Sequence, residues 1–348
     1  MPTASPFDLQ LGLDTFGDVS TAPDGDLSSH AQTIREVVAQ GVLADQVGLD
    51  FIGIGEHHRA DFAVSAPDTV ATAIAAQTER IHVGTAVTVL SSEDPIRVFQ
   101  RFATLDAISG GRAEAILGRG SFIESFGLFG YDLSDYEVLF EEKLELFMRA
   151  RAQQPVTWSG STRAPLSDAE VFPHVEDGLL KAWIAVGGSP QSVIRTAQHG
   201  LPLMLAIIGG SPQSFAQFTD LYRRALDELG NPLQRIGVHM PGHVAETDEQ
   251  AVAEAWPYIG PYFSRIFAER GGRPITESQF RQMVAPAGAY AIGSPETVAR
   301  KIARTLQALG ADRFDLKYAN GHMPHAMLTR SIELYGSQVA PLVRDMLA

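Results

Sequence analysis

The stretch from Phe51 to Gly120 constrains this chain more than any other. It reads as an apolar strand running into Glu56-His57-His58, a helix, a strand over His82–Leu90, a second helix, and a strand over Ala113–Leu117 that enters Gly118-Arg119-Gly120-Ser121. Two strand–helix–strand units end to end predict parallel strands, because a parallel pair needs a crossover of a dozen or more residues and a helix supplies it. In such sheets ligands gather where strands end. Glu56, His57, His58 and Arg119 all fall at or just past those ends.

The alternation continues along the chain. Strands are expected over Leu9–Phe16, Phe51–Gly55, His82–Leu90, Ala113–Leu117, Ala182–Val186, Leu203–Ile208, Ile236–Val244 and Phe314–Tyr318. Helices are expected over Ala31–Val47, Pro67–Gln77, Pro95–Ile108, Asp135–Arg151, Pro190–His199, Pro212–Leu229, Pro295–Leu309 and Ala326–Leu347. Several open on proline, whose missing N–H costs nothing in a first turn. Eight strands, each followed by a helix, predict an α/β fold of the (β/α)8 TIM-barrel type in one domain over residues 1–348. An open doubly wound sheet is the alternative. Two excursions interrupt the pattern: Gln154–Gly178 after the fourth helix, rich in Pro, Ser, Thr and Gly, and Asp248–Pro286 after the seventh strand. The second carries Gly271-Gly272 as a hinge and is expected to act as a lid over the mouth.

Composition removes several function classes. The chain has no cysteine, which excludes disulfides, thiolate zinc sites and a cysteine nucleophile and suits a reducing cytoplasm, the expected location. The opening Met1-Pro2-Thr3-Ala4-Ser5-Pro6 has neither a basic region nor an apolar run, so no secretory signal is expected. No segment approaches the roughly 18 apolar residues of a membrane span. Net charge is −14, and no basic patch is visible for a nucleic acid or an anionic membrane. An anionic ligand must therefore be held by a local site.

Two local sites suit that demand. In Gly118-Arg119-Gly120 the glycines admit a ligand to the backbone and the guanidinium offers a planar fork for phosphate. In Gly187-Gly188-Ser189-Pro190-Gln191-Ser192 a helix starts at Ser189, and the unpaired N–H groups of its first turn suit an anion. Plain helix capping also accounts for Ser189, and Gly209-Gly210-Ser211-Pro212 and Gly293-Ser294-Pro295 repeat the grammar. No Gly-Lys-Ser/Thr follows, so this is not a P-loop.

Glu56-His57-His58 offers imidazoles for acid–base work close to neutral pH. A metal is not expected, since adjacent side chains diverge on an extended chain; a histidine that merely braces the mouth is the structural alternative. His58, Phe122 and Phe126, with Ile123 and Leu128, are candidates for an apolar substrate pocket. Asp14 and Ser91–Pro95 read as caps or turns, and His322 and His325 as candidate ligand contacts. There is no G-x-S-x-G elbow for a hydrolase nucleophile and no G-x-G-x-x-G nicotinamide fingerprint.

Taken in order, Glu56-His57-His58, Gly84–Leu90, Asp94-Pro95, Leu105–Arg112, Gly118-Arg119-Gly120, Gly200–Met204, Ile207-Ile208-Gly209 and Gly293–Glu296 resemble the bacterial luciferase-like flavin monooxygenases over roughly residues 9–345. The resemblance implies a (β/α)8 barrel with FMN at the C-terminal mouth of its strands. It implies that Arg119, Ser189, Ser192 and the backbone of Gly188 hold the phosphate, and that the flavin ring lies by a non-proline cis peptide at Ala86–Val87. His57, rather than His58, is implied as the catalytic histidine. Reduced FMN, O2, a small organic substrate, a separate flavin reductase and a homo-oligomer (dimer or tetramer) are the implied partners. Two departures stand out: the luciferase itself has a carboxylate in place of Gly188 and a cysteine in place of Gly118. A deazaflavin-dependent hydride-transfer enzyme on the same barrel, and a non-catalytic flavin-binding subunit, are the alternatives.

Overall fold

The computed structural model describes residues 6–120, 122–269 and 271–348. Eight parallel strands close into a barrel: β1 (Gln10–Thr15), β2 (Phe51–Ile54), β3 (His82–Thr85), β4 (Ala113–Gly118), β5 (Lys181–Val186), β6 (Leu203–Ala206), β7 (Ile236–Val244) and β8 (Arg313–Lys317). Each pairs with the next, and β8 closes on β1 with Asp14 opposite Lys317. The (β/α)8 expectation therefore holds, and the open sheet does not.

Side-chain alternation separates two apolar clusters. The large one fills the space between strands and helices and includes Leu11, Leu13, Ile52 and Ile54. The small one lies inside the barrel: Phe51, Ile116, Trp183 and Met204, with half-buried Val87 and Ala185 against it. Beneath the mouth the interior also holds charge. Arg313 is fully buried, bonds Glu114 (2.6 Å) and Asp315 (3.0 Å), and stacks on Phe51 with its guanidinium 3.7 Å from the ring centre. Glu114 further accepts from Trp183 Nε1 (3.0 Å) and meets His82 Nδ1 (2.8 Å). Arg313 and His82 hold Glu114 down at about 2 against its burial. Burial pushes Asp315 up to about 6 although Arg313 opposes it. One guanidinium serves two carboxylates, and the one with more donors is held the lower.

Several elements differ from expectation. The strand expected over His82–Leu90 breaks after Thr85; the Ala86–Val87 peptide is cis, Thr88–Val89 pairs with β4, and a 3-10 turn follows over Leu90–Ser92. The strand expected through Ile208 stops at Ala206. Gln154–Gly178 forms an antiparallel hairpin, Val156–Trp158 with Leu166–Ala169. It is less polar than its composition suggested, since Val156, Trp158, Val171 and Val175 are buried. Within 248–286 lie a long helix, Asp248–Glu269, and a second, Glu277–Val284, started by a capping box at Thr276. A short helix over Glu124–Phe129 went unread in the sequence. Among the described residues, no helix is long and apolar enough to cross a membrane.

Candidate active site at the barrel mouth

The mouth has a floor of small side chains. Ala86, Val87, Ala185 and Ala206 are half-buried at the ends of their strands, where neighbouring positions are closed. Glycine is required around them. A Cβ at Gly53 would sit 2.8 Å from that of Ala86, and one at Gly84 would sit 2.1 Å from the Glu114 carbonyl oxygen. A Cβ at Gly118 would meet Val87 at 2.7 Å. The strand break with its cis bond thus turns Ala86 and Val87 into the mouth, and glycines on both neighbouring strands make room for them. A flat, largely apolar ring fits such a floor.

On one side of the floor, two strand ends converge. Arg119 follows β4, and the helix Pro190–Gln198 follows β5. Arg119 Nη2 donates to Ser192 Oγ at 3.1 Å, and Ser189 Oγ caps the helix by accepting from Ser192 N at 3.4 Å. Gly188 adopts φ +113°, a conformation that L side chains rarely take, so glycine is needed to start this helix. Nothing approaches a Cβ placed on Gly187. Guanidinium, hydroxyls and the first turn of a helix are brought together here, a donor set that fits a phosphate group. Arg119 also donates to exposed Glu137, a carboxylate that an anion can displace. Ser121 lies outside the described residues.

The histidines face apart, as adjacent residues on an extended chain must. His57 is buried among Phe16, Phe62 and Phe122, with ring centroids 5.0, 4.3 and 4.9 Å away. Burial takes its pKa down to about 3, helped by the charges of Lys317, Arg59 and His58. It meets a ligand as neutral imidazole, not as the near-neutral titrating group expected of an isolated histidine. His58 points the other way, with Nε2 2.9 Å from Glu56 Oε1, and that bond raises its pKa. Glu56 in turn accepts from Val89 N at 3.0 Å, so the pair braces the strand break.

The other expected residues sort themselves by position. Phe122 reaches His57 and carries the Arg59 guanidinium 4.7 Å from its ring centre. Phe126 is buried away from His57, stacked on Tyr136 at 5.6 Å. Tyr136 lies under the Arg119 guanidinium (5.1 Å), so Phe126 packs behind Arg119. Ile123 and Leu128 are mostly exposed. His322 bonds Val19 O (2.7 Å) between two loops, and His325 meets Gln40 (2.9 Å) between two helices. Asp94 caps its helix as expected, but Asp14 is no cap. It is a buried strand residue whose Oδ2 lies 2.6 Å from His239 Nδ1. His239 was passed over in the apolar run of β7; a histidine between valine and methionine in a buried strand was the available signal. Among the described residues, no cluster of potential metal ligands occurs.

The sequence matches the luciferase-like monooxygenase family model over residues 16–313. It is 24% identical over 351 residues to the alkanal monooxygenase alpha chain of Photobacterium leiognathi, spanning 94% of this chain and 97% of that one. Two solved structures share the fold. The oxygenating constituent of 3,6-diketocamphane monooxygenase from Pseudomonas putida, a type II Baeyer-Villiger monooxygenase in complex with FMN, superposes with a TM-score of 0.75 at 19% identity, covering 96% of this chain and 99% of its own. An F420-dependent secondary alcohol dehydrogenase bound to an F420-acetone adduct also gives 0.75, at 17% identity over 97% and 100%. This chain belongs to the luciferase-like monooxygenase family.

Proposed function

We propose that this protein is a flavin-dependent monooxygenase that uses reduced FMN and O2 on a small organic substrate. The observation that carries this reading is the meeting of Arg119 and Ser192 at the start of a helix, beside a floor of Ala86, Val87, Ala185 and Ala206. The donors fit a phosphate monoester and the floor fits an isoalloxazine ring. Bound there, reduced flavin supplies the electrons that activate oxygen.

The protein's own residues do the rest. Arg119, Ser189, Ser192 and the Gly188 backbone hold the phosphate and fix the ring's depth. Phe16, Phe62 and Phe122 keep water from His57, and His57 acts as a neutral hydrogen-bonding group. Substrate enters beside Phe122 and His58. The 248–286 segment serves as a lid, fastened where Arg59 donates to Glu269 (2.6 and 3.0 Å) and where Arg265 pairs with Asp61. Reduced flavin comes from a separate reductase, in keeping with the lack of a nicotinamide fingerprint.

A deazaflavin-dependent hydride transfer is the second reading, favoured by the F420-dependent neighbour. Anaerobic titration with reduced FMN and with reduced deazaflavin, followed by oxygen uptake with a panel of apolar aldehydes and ketones, separates the two. Tight FMN binding with substrate-dependent oxygen uptake upholds the first reading. Tight deazaflavin binding without oxygen uptake replaces it with the second. Flavin binding without turnover of any kind points to a non-catalytic subunit.

A further inference from the structure

Directly across the mouth from the phosphate donors, β1, β7 and β8 bring together polar side chains that phosphate and ring binding leave without a task. Asp14 on β1 is 1% exposed and His239 on β7 is 8% exposed. Asp14 Oδ2 lies 2.6 Å from His239 Nδ1. A carboxylate only accepts, so Nδ1 carries the proton of that bond and Nε2 is left as the basic nitrogen. Nε2 has no hydrogen bond among the described residues. Among the described residues, Asp14 Oδ1 is buried without a partner, so the carboxylate's one bonded contact there is the imidazole.

The position is as telling as the pair. His239 is in register with Ala206, a floor residue, and with Asp315 on its other side. Its ring stacks on Phe16 (centroids 6.0 Å apart, planes 9° apart), and Phe16 in turn meets His57 edge-on at 5.0 Å. The two imidazoles therefore flank one phenyl ring at the same mouth. They differ in support: His57 has aromatic walls and no carboxylate within bonding distance of its ring, whereas His239 has Asp14. Lys317, bonded to Asp18 at 3.2 Å, lies 4.5 Å above the Phe16 ring. The charged and titratable groups around His239 are thus Asp14 on β1, Asp315 and Lys317 on β8, Asp18 after β1, and His57 after β2.

We propose that His239, oriented by Asp14, is the proton-accepting side chain of this site, drawing a proton through Nε2 from the bound organic substrate. A buried carboxylate behind an imidazole fixes its tautomer and stabilises the imidazolium as it forms. The proton leaves the substrate for Nε2, its electron pair stays on the substrate, and the imidazolium later returns the proton to water. His239 is the catalytic residue here and Asp14 a positioning residue. The assignment rests on the monooxygenase reading for its substrate, but not for its geometry.

The test has one arm without cofactor and one with it. Diethyl pyrocarbonate acylates accessible neutral imidazole nitrogens, and peptide mass mapping of the labelled apo-protein reads His239 directly. His239 is expected to react in the wild type and more slowly in Asp14→Asn, where the ring loses its fixed tautomer. In the second arm His239→Gln keeps its affinity for FMN and loses ~10²–10⁴-fold in kcat, the usual range for a general base. It also loses the acidic limb of the kcat–pH profile, while Asp14→Asn shifts that limb and loses less rate. An unreactive His239 in folded apo-protein overturns the proposal, as does His239→Gln with wild-type kcat and an unchanged profile. If the wild type consumes no oxygen with any substrate yet His239 labels as expected, the monooxygenase reading fails and the dyad stands.

Discussion

Arg119 and His57 divide the site between charge and its exclusion. Arg119 stays partly solvated beside an exposed glutamate, so it can exchange Glu137 for a phosphate without leaving a buried charge behind. Arg119→Ala should weaken FMN binding by about 1.5–3 kcal/mol, roughly ten- to a hundredfold, while riboflavin binding is unaltered. Equal losses for both ligands in a fluorescence titration would place Arg119 away from the phosphate. His57 is the opposite case. Its folded pKa of about 3 lies below the 6.5 of an unfolded chain, so between those values the unfolded state binds a proton that the folded state refuses. Its contribution to stability is whole above pH 6.5 and is lost as pH falls towards 3, by at most about 1.4 kcal/mol per pH unit. Urea unfolding of the wild type and His57→Gln across pH 4.5–7 should show a shallower fall in the variant; parallel slopes would mean that the ring is not desolvated. The sequence announced His57 and Arg119 because each follows an apolar strand at its C-terminal end. It offered Asp14 only as a cap or turn and passed over His239, since each is a single polar residue within a buried strand and the partner is 225 positions away. No local pattern marks a pair made only by barrel closure.

At the level of elements, strand–helix alternation was legible because each unit is local: an apolar run, a proline or serine start, a glycine stop. The break in the third strand was not, because Thr85–Val89 is β-branched at every position but Ala86 and the reason for the break lies on other strands. Gly53 and Gly118 leave the space into which Ala86 and Val87 turn. The 248–286 segment was legible as an excursion, but its clasp was not, since Arg59–Glu269 spans 210 residues. That clasp is weak by design of its surroundings. The Arg59 and Glu269 side chains are 22% and 39% exposed, and a pair so solvated contributes no more than ~1 kcal/mol. A fastening of that size permits opening for ligand entry. Glu269→Gln should therefore raise the rate of proteolytic nicking near Gly271-Gly272 several-fold, and FMN with substrate should restore protection in the wild type. Unchanged nicking in the variant, with no ligand protection in either protein, would show that the segment is a fixed part of the wall and not a lid.

The whole molecule sets a different problem. Net charge is −14, and the proposed ligand carries a phosphate of about −2 at neutral pH. The barrel places Arg119 and Arg195 on neighbouring elements, paired with Glu137 and Glu141, and in the proposed reading these pairs yield to the phosphate. These contacts act over a few ångströms, whereas the repulsion of the acidic surface acts over the Debye length. That length falls from about 30 Å at 0.01 M salt to about 8 Å at 0.15 M. Salt should therefore relieve the long-range repulsion more than it weakens the short contacts. The expected result in stopped-flow quenching is an FMN association rate that rises with ionic strength over this range, together with a dissociation rate that changes little. Riboflavin, which lacks the phosphate, should show neither trend. An FMN association rate that falls with salt would mean that the two arginines project a net attractive field beyond the surface. The acidic balance of the chain would then play no part in how its cofactor arrives.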